Sequence, residues 1–318
     1  MTSGFDISVV ILNWNTERLL RRCIASIKSS TKTGVDYEII VVDNASEDGS
    51  RAMVTSEFPD VKLVTNKKNI GFGAGNNRGA ALARGRYILF LNSDTEMHED
   101  CLLKMMRYAD EHLEVGIIGP KLLNTDGSLQ YSCRHYPNLA TGFFRNTPLG
   151  RLFPANRHNS DYLMSSWDHA TNRNVDWVSG AALMIRRETA NEVGMFDEDY
   201  FMYCEDVDLC RRVNMARRSM APEENWKVTY VPSASITHFI GRSSDKVPTR
   251  MTYEFHRSQY LFYRKHYLHS TPIVLRPLIP VGIIMRALGQ LIRYRVKHIL
   301  TRLRQRQHAQ GNHSETRE

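Results

Sequence analysis

The sequence predicts an α/β protein whose amino-terminal part forms a doubly wound, mostly parallel sheet. Four short apolar runs, at residues 7–12, 37–42, 61–65 and 87–91, have the length and composition of buried strands. The stretches between them have the spacing or small-residue composition of helices. Strands that alternate with helices in this way build parallel sheets through right-handed crossovers, with helices on both faces.

The helices of this first part follow from local patterns. A helix is predicted over residues 16–29, because apolar side chains recur there on one helical face, and Asn15 or Thr16 can cap it. A second helix, rich in small residues, is predicted over 73–84, just before the fourth strand.

The pattern changes after residue 117. Residues 125–127 (Thr-Asp-Gly) indicate a hairpin, and residues 134–174 are predicted to form a long loop region. A strand over 175–185 is expected to be interrupted at Ser179-Gly180. The remaining predicted elements are a helix over 205–218 and short strands at 227–231 and 235–237.

The formal net charge of +8 is concentrated at the carboxyl-terminal end. No acidic residue lies between Glu254 and Glu315, whereas arginines and lysines occur throughout this stretch. The body of the chain is therefore slightly acidic. This distribution argues against a nucleic-acid groove in the body and favours an anionic partner for the tail.

The five cysteines are scattered, odd in number and include no CxxC pair. We therefore expect free, buried thiols in a reducing compartment. Residues 1–6 also lack the charged-then-apolar layout of a signal peptide. Both features predict a cytosolic protein.

Polar residues follow two of the predicted strands. Asp94 ends the run Asn92-Ser93-Asp94 after the fourth strand, and Asp43 follows the second. Ligands of open α/β sheets bind beyond the carboxyl ends of the strands, so Asp94 is placed to hold a hard divalent cation against a phosphate-bearing ligand. Asp43 has two interpretations: a contact to a ribose or base, or an Asx-type turn.

Residues 69–79 form a glycine-rich segment that opens a helix, but they do not form a dinucleotide-binding fingerprint. The third required small residue would fall at Asn76, and the segment follows the third strand instead of the first. Two interpretations remain open. The glycines let the backbone approach a ligand that Asn77 and Arg78 face, or they allow tight helix–sheet packing.

Three acids, Glu205, Asp206 and Asp208, begin a predicted helix directly after an aromatic run. Acids in a first turn interact favourably with the helix dipole, so stability alone is one explanation. Alternatively, apolar walls raise the pKa of Asp206 into the range of a general base. Asp208 and Arg212 are expected to form a structural pair four residues apart. His238 ends a short strand and has no evident role by itself.

Taken together and in order, these segments resemble the family 2 glycosyltransferases, inverting enzymes of the GT-A fold. The likeness is to the bacterial rhamnosyltransferase-like branch that decorates cell-surface polysaccharides, and it covers about residues 7–245. The matching segments are Val9-Val10-Ile11-Leu12-Asn13-Trp14-Asn15, Val41-Val42-Asp43-Asn44-Ala45-Ser46, Asn69-Ile70-Gly71-Phe72 with Asn77 and Gly79, Leu91-Asn92-Ser93-Asp94, Trp177-Val178-Ser179-Gly180-Ala181, Glu205-Asp206-Val207-Asp208-Leu209-Cys210-Arg211-Arg212, and His238 with Gly241 and Ser243.

The resemblance implies a role for each matching position. Asp206, with Glu205 beside it, would be the catalytic base, and Asp94 with His238 would bind Mg²⁺ or Mn²⁺. Residues expected on the donor side are Asn13, Asn15, Asp43, Asn77, Arg78, Asn92 and Ser93. Trp177, Gly180 and Ala181 would line the acceptor side. Asn92 departs from the family's D-x-D segment, because it is neutral where a carboxylate is usual, and His238 partly offsets that loss.

The implied organisation has three parts. Residues 1–120 would bind the nucleotide sugar, residues 121–270 would supply the acceptor-binding and catalytic half, and residues 271–318 would form a tail of basic amphipathic helices. The tail's longest charge-free run, residues 277–285, is too short to span a membrane. We expect the tail to bind an anionic membrane surface, although docking on the protein's own body is an alternative.

The sequence therefore predicts an inverting, metal-dependent glycosyltransferase, peripheral on the cytoplasmic face of the cell membrane. The expected donor is a nucleotide diphosphate sugar such as dTDP-rhamnose, and the expected acceptor is a glycan on a polyprenyl diphosphate. Two alternatives remain: a nucleotidyltransferase that releases pyrophosphate, and a non-catalytic, glycosyltransferase-like scaffold at the membrane. The prediction requires Asp43, Asp94 and Asp206 to line one cleft.

Overall fold

The computed structural model describes residues 4–30, 34–137, 157–239 and 248–295. The chain divides into two compact units, Met1–Lys246 and Val247–Glu318. Residues 1–120 and 121–246 share one sheet, so their predicted division falls within a single unit. The boundary before the carboxyl-terminal unit lies at 246, ahead of the predicted position at 270.

The first half of the large unit is the predicted parallel α/β arrangement. Strands β1 to β4 lie in the order β3-β2-β1-β4, and every pair among them is parallel. The elements are β1 (Ile7–Asn13), α1 (Glu17–Ser30), β2 (Tyr37–Asp43), α2 (Ser50–Glu57), β3 (Lys62–Thr65), α3 (Phe72–Ala80) and β4 (Tyr87–Asn92). The register sets Asn13 beside Asp43 and Leu12 beside Asn92, so their carboxyl ends form one edge.

The second half extends the same sheet, but it is mixed instead of parallel. Its elements are β5 (Thr95–Met97), α4 (Cys101–Glu111), β6 (Val115–Leu123), β7 (Leu129–Gln130), β8 (Cys133–Arg134), α5 (Arg157–Leu163), β9 (Arg173–Asn174), β10 (Trp177–Val178), β11 (Ala182–Arg186), α6 (Arg187–Val193), α7 (Glu205–Met215), β12 (Arg217–Arg218), β13 (Ala221–Asn225) and β14 (Lys227–His238). The order continues from β4 through β11, β6 and β14 to β5. Strand β11 runs antiparallel between β4 and β6.

The predicted α/β fold is confirmed, and most local predictions match the structure. The hairpin at residues 125–127 joins β6 to β7, and the break at Ser179-Gly180 separates β10 from β11. The two short strands predicted near 227–237 are one strand, β14, whose pairing with β6 shifts between Val231 and Ser235. Within the predicted loop region, α5 and β9 are short elements that the weak periodicity did not reveal, and residues 138–156 lie outside the described residues.

The glycines of α3 allow it to pack closely on the sheet. A Cβ at Gly79 would lie 2.4 Å from Cγ1 of Val10, and one at Gly75 would lie 2.5 Å from Cδ1 of Leu12. Gly71, at φ +94°, precedes the helix where a Cβ would lie 2.5 Å from the Phe201 carbonyl oxygen. Of the two interpretations of these glycines, the structure therefore favours tight packing.

All five cysteines are free thiols, as predicted. Cys23, Cys101, Cys133 and Cys210 are buried, and Cys204 is half-buried. Burial raises the pKa of Cys23 and Cys101 to about 12, which keeps both thiols protonated. These thiols serve as small apolar groups in the core.

The carboxyl-terminal unit contains α8 (Pro248–His266), a 3₁₀ turn (Ile273–Leu275) and a helix, α9, over 278–295. Within the described residues, the stretch Ile273–Arg295 has the length and composition that a membrane span needs, and none of it is buried. Length and composition thus permit a membrane span, whereas the short charge-free run at residues 277–285 had predicted that the tail does not cross the membrane. Arg286 of α9 donates a hydrogen bond to Gln259 of α8 at 3.2 Å. The predicted helical tail beyond 295 lies outside the described residues.

We expect the substitution Gly79→Ala to lower the free energy of unfolding by about 1–3 kcal/mol, because its Cβ overpacks Val10 and Val42. Urea unfolding followed by circular dichroism measures this change. Ala81→Ser, at the exposed end of the same helix, should stay within about 0.5 kcal/mol of the wild type. Equal stability of the two variants would show that α3 has room to move away from the sheet.

Candidate active site

A hydrogen-bond network joins the carboxyl ends of three neighbouring strands. The side-chain amide of Asn13 donates to Oδ1 of Asp43 and to Oγ of Ser46, both at 3.1 Å. The side-chain oxygen Oδ1 of Asn13 accepts a bond of 2.7 Å from Oγ1 of Thr16, which lies 2.8 Å from Oγ of Ser93. The network therefore connects β2 through β1 to the residues that follow β4. It holds the edge of the sheet in one arrangement.

Asp43 is almost completely buried at this edge. Its Oδ2 accepts a 3.0 Å bond from the Ser46 N–H, so the Asx-type turn is present. The guanidinium of Arg51 lies 3.7 Å from the same oxygen. Asn15, at φ 56°, donates its backbone N–H to Ser46 and accepts a bond from Glu47. The turn and a ligand contact do not exclude each other, so the donor contacts of Asp43 and Asn15 stay predictions.

The glycine-rich segment is attached to this edge through Asn44. The Asn44 amide donates to Oδ1 of Asn69 at 2.9 Å and to the Gly71 carbonyl at 3.1 Å. Its own carbonyl oxygen accepts from the Ile70 N–H at 3.1 Å and from the Asn66 amide at 3.0 Å. The loop before α3 therefore has a defined position relative to Asp43.

Asn77 and Arg78 both have partners within the protein. The Asn77 amide donates to the Phe196 carbonyl at 2.8 Å, and its oxygen accepts from the Phe196 N–H at 3.1 Å. Arg78 donates to Oδ1 of Asn66 at 2.5 Å. These bonds fix the segment that leads towards α7 and the turn after β3. Contact of either residue with a donor remains a prediction.

Asp94 and His238, the two predicted metal ligands, lie side by side. Oδ1 of Asp94 is 3.3 Å from Nε2 of His238, and Nδ1 of His238 is 2.7 Å from Oε1 of Gln130. The Phe239 N–H donates to the Asp94 carbonyl, which fixes the end of β14 against the residues after β4. In the described part of the chain, no group of three or more His, Cys, Asp or Glu residues could hold a metal. Two protein ligands are therefore available here, and the remaining positions would fall to water or a ligand.

Asp206 is linked to the same edge through the break between β10 and β11. Its Oδ2 accepts a 2.9 Å bond from the Gly180 N–H, and its Oδ1 accepts one of 2.8 Å from Val207. The next carbonyl, that of Ala181, accepts a 2.9 Å bond from the Asn92 N–H. The start of α7 and the end of β4 thus meet at adjacent residues of one turn.

The backbone that presents Asp206 is strained. Tyr203 and Cys204 have φ values of 72° and 66°, in the left-handed region that side chains other than glycine rarely adopt. Two consecutive residues of this kind turn the chain sharply into α7. Strain of this kind concentrates at functional sites, because the surrounding structure must maintain it.

The two acids that open α7 have raised pKa values. Burial, together with the neighbouring charge of Asp206, raises the pKa of Glu205 well above its ordinary value, and Glu205 Oε2 has no hydrogen-bond partner among the described residues. Desolvation also raises the pKa of Asp206, whereas the bonds from Gly180 and Val207 and the charge of Arg134 oppose that rise. Asp206 therefore has the environment of a general base.

The predicted acceptor side is built around Trp177. This buried residue donates its ring N–H to the His135 carbonyl at 3.0 Å, and the guanidinium of Arg134 lies 5.3 Å from its ring centroid. A Cβ at Gly180 would lie 3.3 Å from both Cβ of Asp206 and the ring of Phe72. Gly180 is therefore closely packed between Asp206 and Phe72, and a side chain there would crowd Asp206.

Sequence reasoning missed three residues of this site. Thr16 was considered only as a helix cap, although its hydroxyl connects Asn13 to Ser93. Arg134 falls at the start of the predicted loop region, and Gln130 lies in a hairpin strand. Local sequence contains no signal for the bond of Gln130 to His238, for the bond of Thr16 to Ser93 or for the charge of Arg134 near Asp206, because each joins residues far apart in the chain. The i,i+4 pair of Asp208 and Arg212 is present at 2.7 Å, as predicted.

An open sheet of order 3-2-1-4, extended by an antiparallel strand and with acids at its carboxyl edge, is the arrangement of the GT-A fold. The structure resembles GalNAc-T7 solved with UDP, GalNAc and Mn²⁺, at a TM-score of 0.54 and 16% identity, over 75% of this chain and 44% of that one. It also resembles the mannosyltransferase PcManGT from Pyrobaculum calidifontis, solved with GDP-Man and Mn²⁺, at a TM-score of 0.53 and 17% identity, over 93% and 76% of the two chains.

The chain belongs to glycosyl transferase family 2, whose model matches residues 8–194. It is 29% identical to the N-acetylglucosaminyl-diphospho-decaprenol L-rhamnosyltransferase of Mycobacterium tuberculosis, over 80% of this chain and 82% of that protein. It is 26% identical to the rhamnosyltransferase WbbL of Escherichia coli, over 73% and 82% of the two chains. The protein is therefore a glycosyltransferase with rhamnosyltransferase-like relatives.

We expect Glu205→Gln to increase the stability of the protein at neutral pH. A carboxyl group whose pKa is raised by folding costs stability as pH rises from its unfolded pKa through its folded pKa, and the amide removes this cost. Urea unfolding at pH 4 and pH 7.5 should show a difference between the variant and the wild type only at the higher pH. Glu223→Gln, which changes an exposed acid, is the control and should leave the pH profile unaltered. A variant less stable than the wild type at pH 7.5 would contradict the proposed cost.

Proposed function

We propose that this protein is an inverting, metal-dependent glycosyltransferase that moves rhamnose from dTDP-rhamnose to a glycan carried on a polyprenyl diphosphate. Two relatives are named as rhamnosyltransferases, and the name of one includes a decaprenyl-diphosphate-linked N-acetylglucosamine. Neither relative is a nucleotidyltransferase. The observation that carries the proposal is the junction of Asn92, Ala181, Gly180 and Asp206, because it brings a carboxylate of raised pKa to the strand edge where donors bind.

The proposed reaction is a single in-line displacement. The acceptor hydroxyl oxygen attacks the anomeric carbon on the face opposite the diphosphate, the bond from that carbon to the diphosphate oxygen breaks, and Asp206 receives the hydroxyl proton. Gly180 and Val207 hold the carboxylate of Asp206 in a fixed orientation through their N–H groups. A base with a raised pKa accepts the proton more readily, which is why desolvation at this position supports the role.

The donor would lie along the carboxyl edge of β1, β2 and β4. Asp43 and Asn13 would contact the base, with Asn15, Asn77, Arg78, Asn92 and Ser93 as the other proposed donor residues. The edge is held in advance by the network from Asp43 to Ser93. Because these side chains are already ordered, donor binding would lose less conformational entropy.

Asp94 and His238 would hold Mg²⁺ or Mn²⁺. One carboxylate oxygen and one imidazole nitrogen, 3.3 Å apart at the end of β14, are a suitable partial ligand set, since such ions keep several positions for water and phosphate oxygens. When bound, the ion would neutralise charge that develops on the leaving diphosphate. Asn92 supplies no second carboxylate, so the metal would depend more strongly on His238.

The acceptor would enter beside Trp177, Gly180 and Ala181. The buried indole of Trp177 holds the chain before Gly180 through its hydrogen bond to His135, and the N–H of Gly180 orients the carboxylate of Asp206. Arg134, stacked against Trp177, places a positive charge near the same carboxylate. This arrangement would bring the acceptor hydroxyl to the base.

We expect Asp206→Asn to reduce kcat for rhamnose transfer by about 10²–10⁴-fold, because the amide cannot accept the proton. The dissociation constant for dTDP-rhamnose in the presence of Mn²⁺ should change less than about threefold. Transfer is measured with a polyprenyl-diphospho-N-acetylglucosamine acceptor, and Glu223→Gln is the control. Turnover near that of the wild type would remove Asp206 from the mechanism. A wild-type protein that binds other nucleotide sugars but not dTDP-rhamnose would overturn the choice of donor alone.

We also propose that the carboxyl-terminal unit attaches the protein to the inner face of the cell membrane without crossing it. Large apolar side chains of the stretch Ile273–Arg295 are exposed; examples are Ile273, Val274, Leu278 and Met285. Arg286 lies near its middle, where a charge at the centre of a bilayer costs at least about 2.5 kcal/mol. A helix lying in the interface avoids this cost and suits an acceptor that is itself anchored in lipid.

Truncation after Ser270 should abolish binding to vesicles that contain anionic phosphatidylglycerol, because it removes the exposed apolar helix and its arginines. Flotation of both proteins with such vesicles and with neutral phosphatidylcholine vesicles measures the effect. We expect the full chain to float with anionic vesicles and to be released by high salt or alkaline carbonate. Equal flotation of the truncated protein would contradict the proposal. Resistance of the full chain to carbonate would indicate a span instead.

A further inference from the structure

The hairpin between β6 and β7 is connected by hydrogen bonds to the proposed metal ligand His238. Gln130 of β7 contacts Nδ1 of His238 at 2.7 Å, and its amide nitrogen lies 3.0 Å from Oδ1 of Asn124 at the other side of the hairpin. The Asn124 amide nitrogen is 2.9 Å from Oγ of Ser128, which is 2.6 Å from Oδ1 of Asp126. Five side chains thus form one relay, from an exposed turn to the metal site.

The direction of every bond in this relay follows from its outer end. A carboxylate only accepts, so the Ser128 hydroxyl must donate to Asp126; bonds from Ser128 also lower the pKa of Asp126, which keeps that carboxylate ionised. Because the Ser128 hydroxyl has only this one proton to donate, its oxygen must accept the hydrogen bond from the Asn124 amide nitrogen. That nitrogen also lies 3.5 Å from the Leu129 carbonyl oxygen, which can only accept. The orientation of the Asn124 amide is therefore determined.

The same logic continues inwards. With the Asn124 amide nitrogen directed to Ser128, its carbonyl oxygen faces Gln130 and must accept from the Gln130 amide nitrogen. The Gln130 carbonyl oxygen is then left to face Nδ1 of His238, so this nitrogen must carry a proton. In the neutral ring, Nε2 consequently presents a lone pair towards Oδ1 of Asp94, 3.3 Å away.

In the neutral ring, a lone pair and a carboxylate oxygen at this distance repel each other, and either a second proton on Nε2 or a metal ion between them removes the repulsion. The opposite tautomer would let Nε2–H donate to Asp94, which would occupy both proposed metal ligands with one another. We infer that Gln130, oriented by the hairpin, is a positioning residue that selects the His238 tautomer able to bind a divalent cation. This inference rests on the proposed metal site and adds to it a residue that contacts neither metal nor substrate.

The test compares the His238 tautomer in three metal-free proteins: the wild type, Gln130→Leu and Gln130→Glu. Long-range ¹H–¹⁵N spectra of protein labelled in histidine report which ring nitrogen carries the proton, and the loss of resonances in His238→Gln assigns the ring. At a pH where the ring is neutral, we expect the Nδ1–H tautomer in the wild type, a shift towards Nε2–H in Gln130→Leu, and retention of Nδ1–H in Gln130→Glu, whose carboxylate also accepts. Thr125→Ala, in the same hairpin but outside the relay, should resemble the wild type.

Binding of Mn²⁺ alone, followed by the electron paramagnetic resonance signal of the free ion, is the second measurement. Affinity should fall about 10–100-fold in Gln130→Leu and recover in Gln130→Glu. An unchanged tautomer in Gln130→Leu would overturn the positioning role. The role would also be overturned if Gln130→Leu bound Mn²⁺ within about twofold of the wild-type affinity while His238→Gln bound it more weakly. Equal binding by wild type and His238→Gln would instead overturn the metal site, while the tautomer in the metal-free protein would still decide the role of Gln130.

Discussion

The candidate site depends on the backbone hydrogen bond between the Asn92 N–H and the Ala181 carbonyl, 2.9 Å long. It joins the end of β4, in the parallel half of the sheet, to the residue that precedes the antiparallel strand β11. On one side of this bond are the polar residues that follow β4, and on the other is Gly180, whose N–H binds Asp206. Without this junction, the Asp206 carboxylate and the carboxyl edge of the parallel strands would belong to separate parts of the structure.

The geometry explains why an antiparallel strand occurs in the middle of the sheet. A parallel strand beside β4 would need a crossover and would place its own carboxyl end at the donor edge. Strand β11 runs the other way, so its beginning lies at that edge instead. The chain before β11 can therefore bring Trp177 and Gly180 to the carboxyl edge of the parallel strands, and the strained turn at Tyr203 and Cys204 brings α7 to meet them. Reversal of one strand therefore places the proposed acceptor residues at this edge.

Two acids at the start of α7 experience different environments, although they are adjacent in sequence. Glu205 is buried with an unbonded oxygen, whereas Asp206 is half-buried and receives two backbone N–H bonds. The bonds orient Asp206 and limit the rise of its pKa, which favours its ionised form. The raised pKa values of both acids require a low-dielectric environment, and the surrounding core supplies it.

Local sequence determined the strands of the parallel half, the hairpin at 125–127 and the break at Ser179-Gly180, because hydrophobic periodicity and turn chemistry act over a few residues. The number and spacing of the cysteines predicted free thiols. The ordered motifs that carry the family resemblance also predicted that Asp94, Asp206 and His238 belong to one active site. Only the tertiary structure decided what each polar group touches. It showed that the glycines of α3 pack on the sheet, that Asn77 binds Phe196, and that Thr16, Gln130 and Arg134 belong to the site. These contacts join residues far apart in the chain, and hydrogen-bond geometry at such distances leaves no trace in local residue pattern.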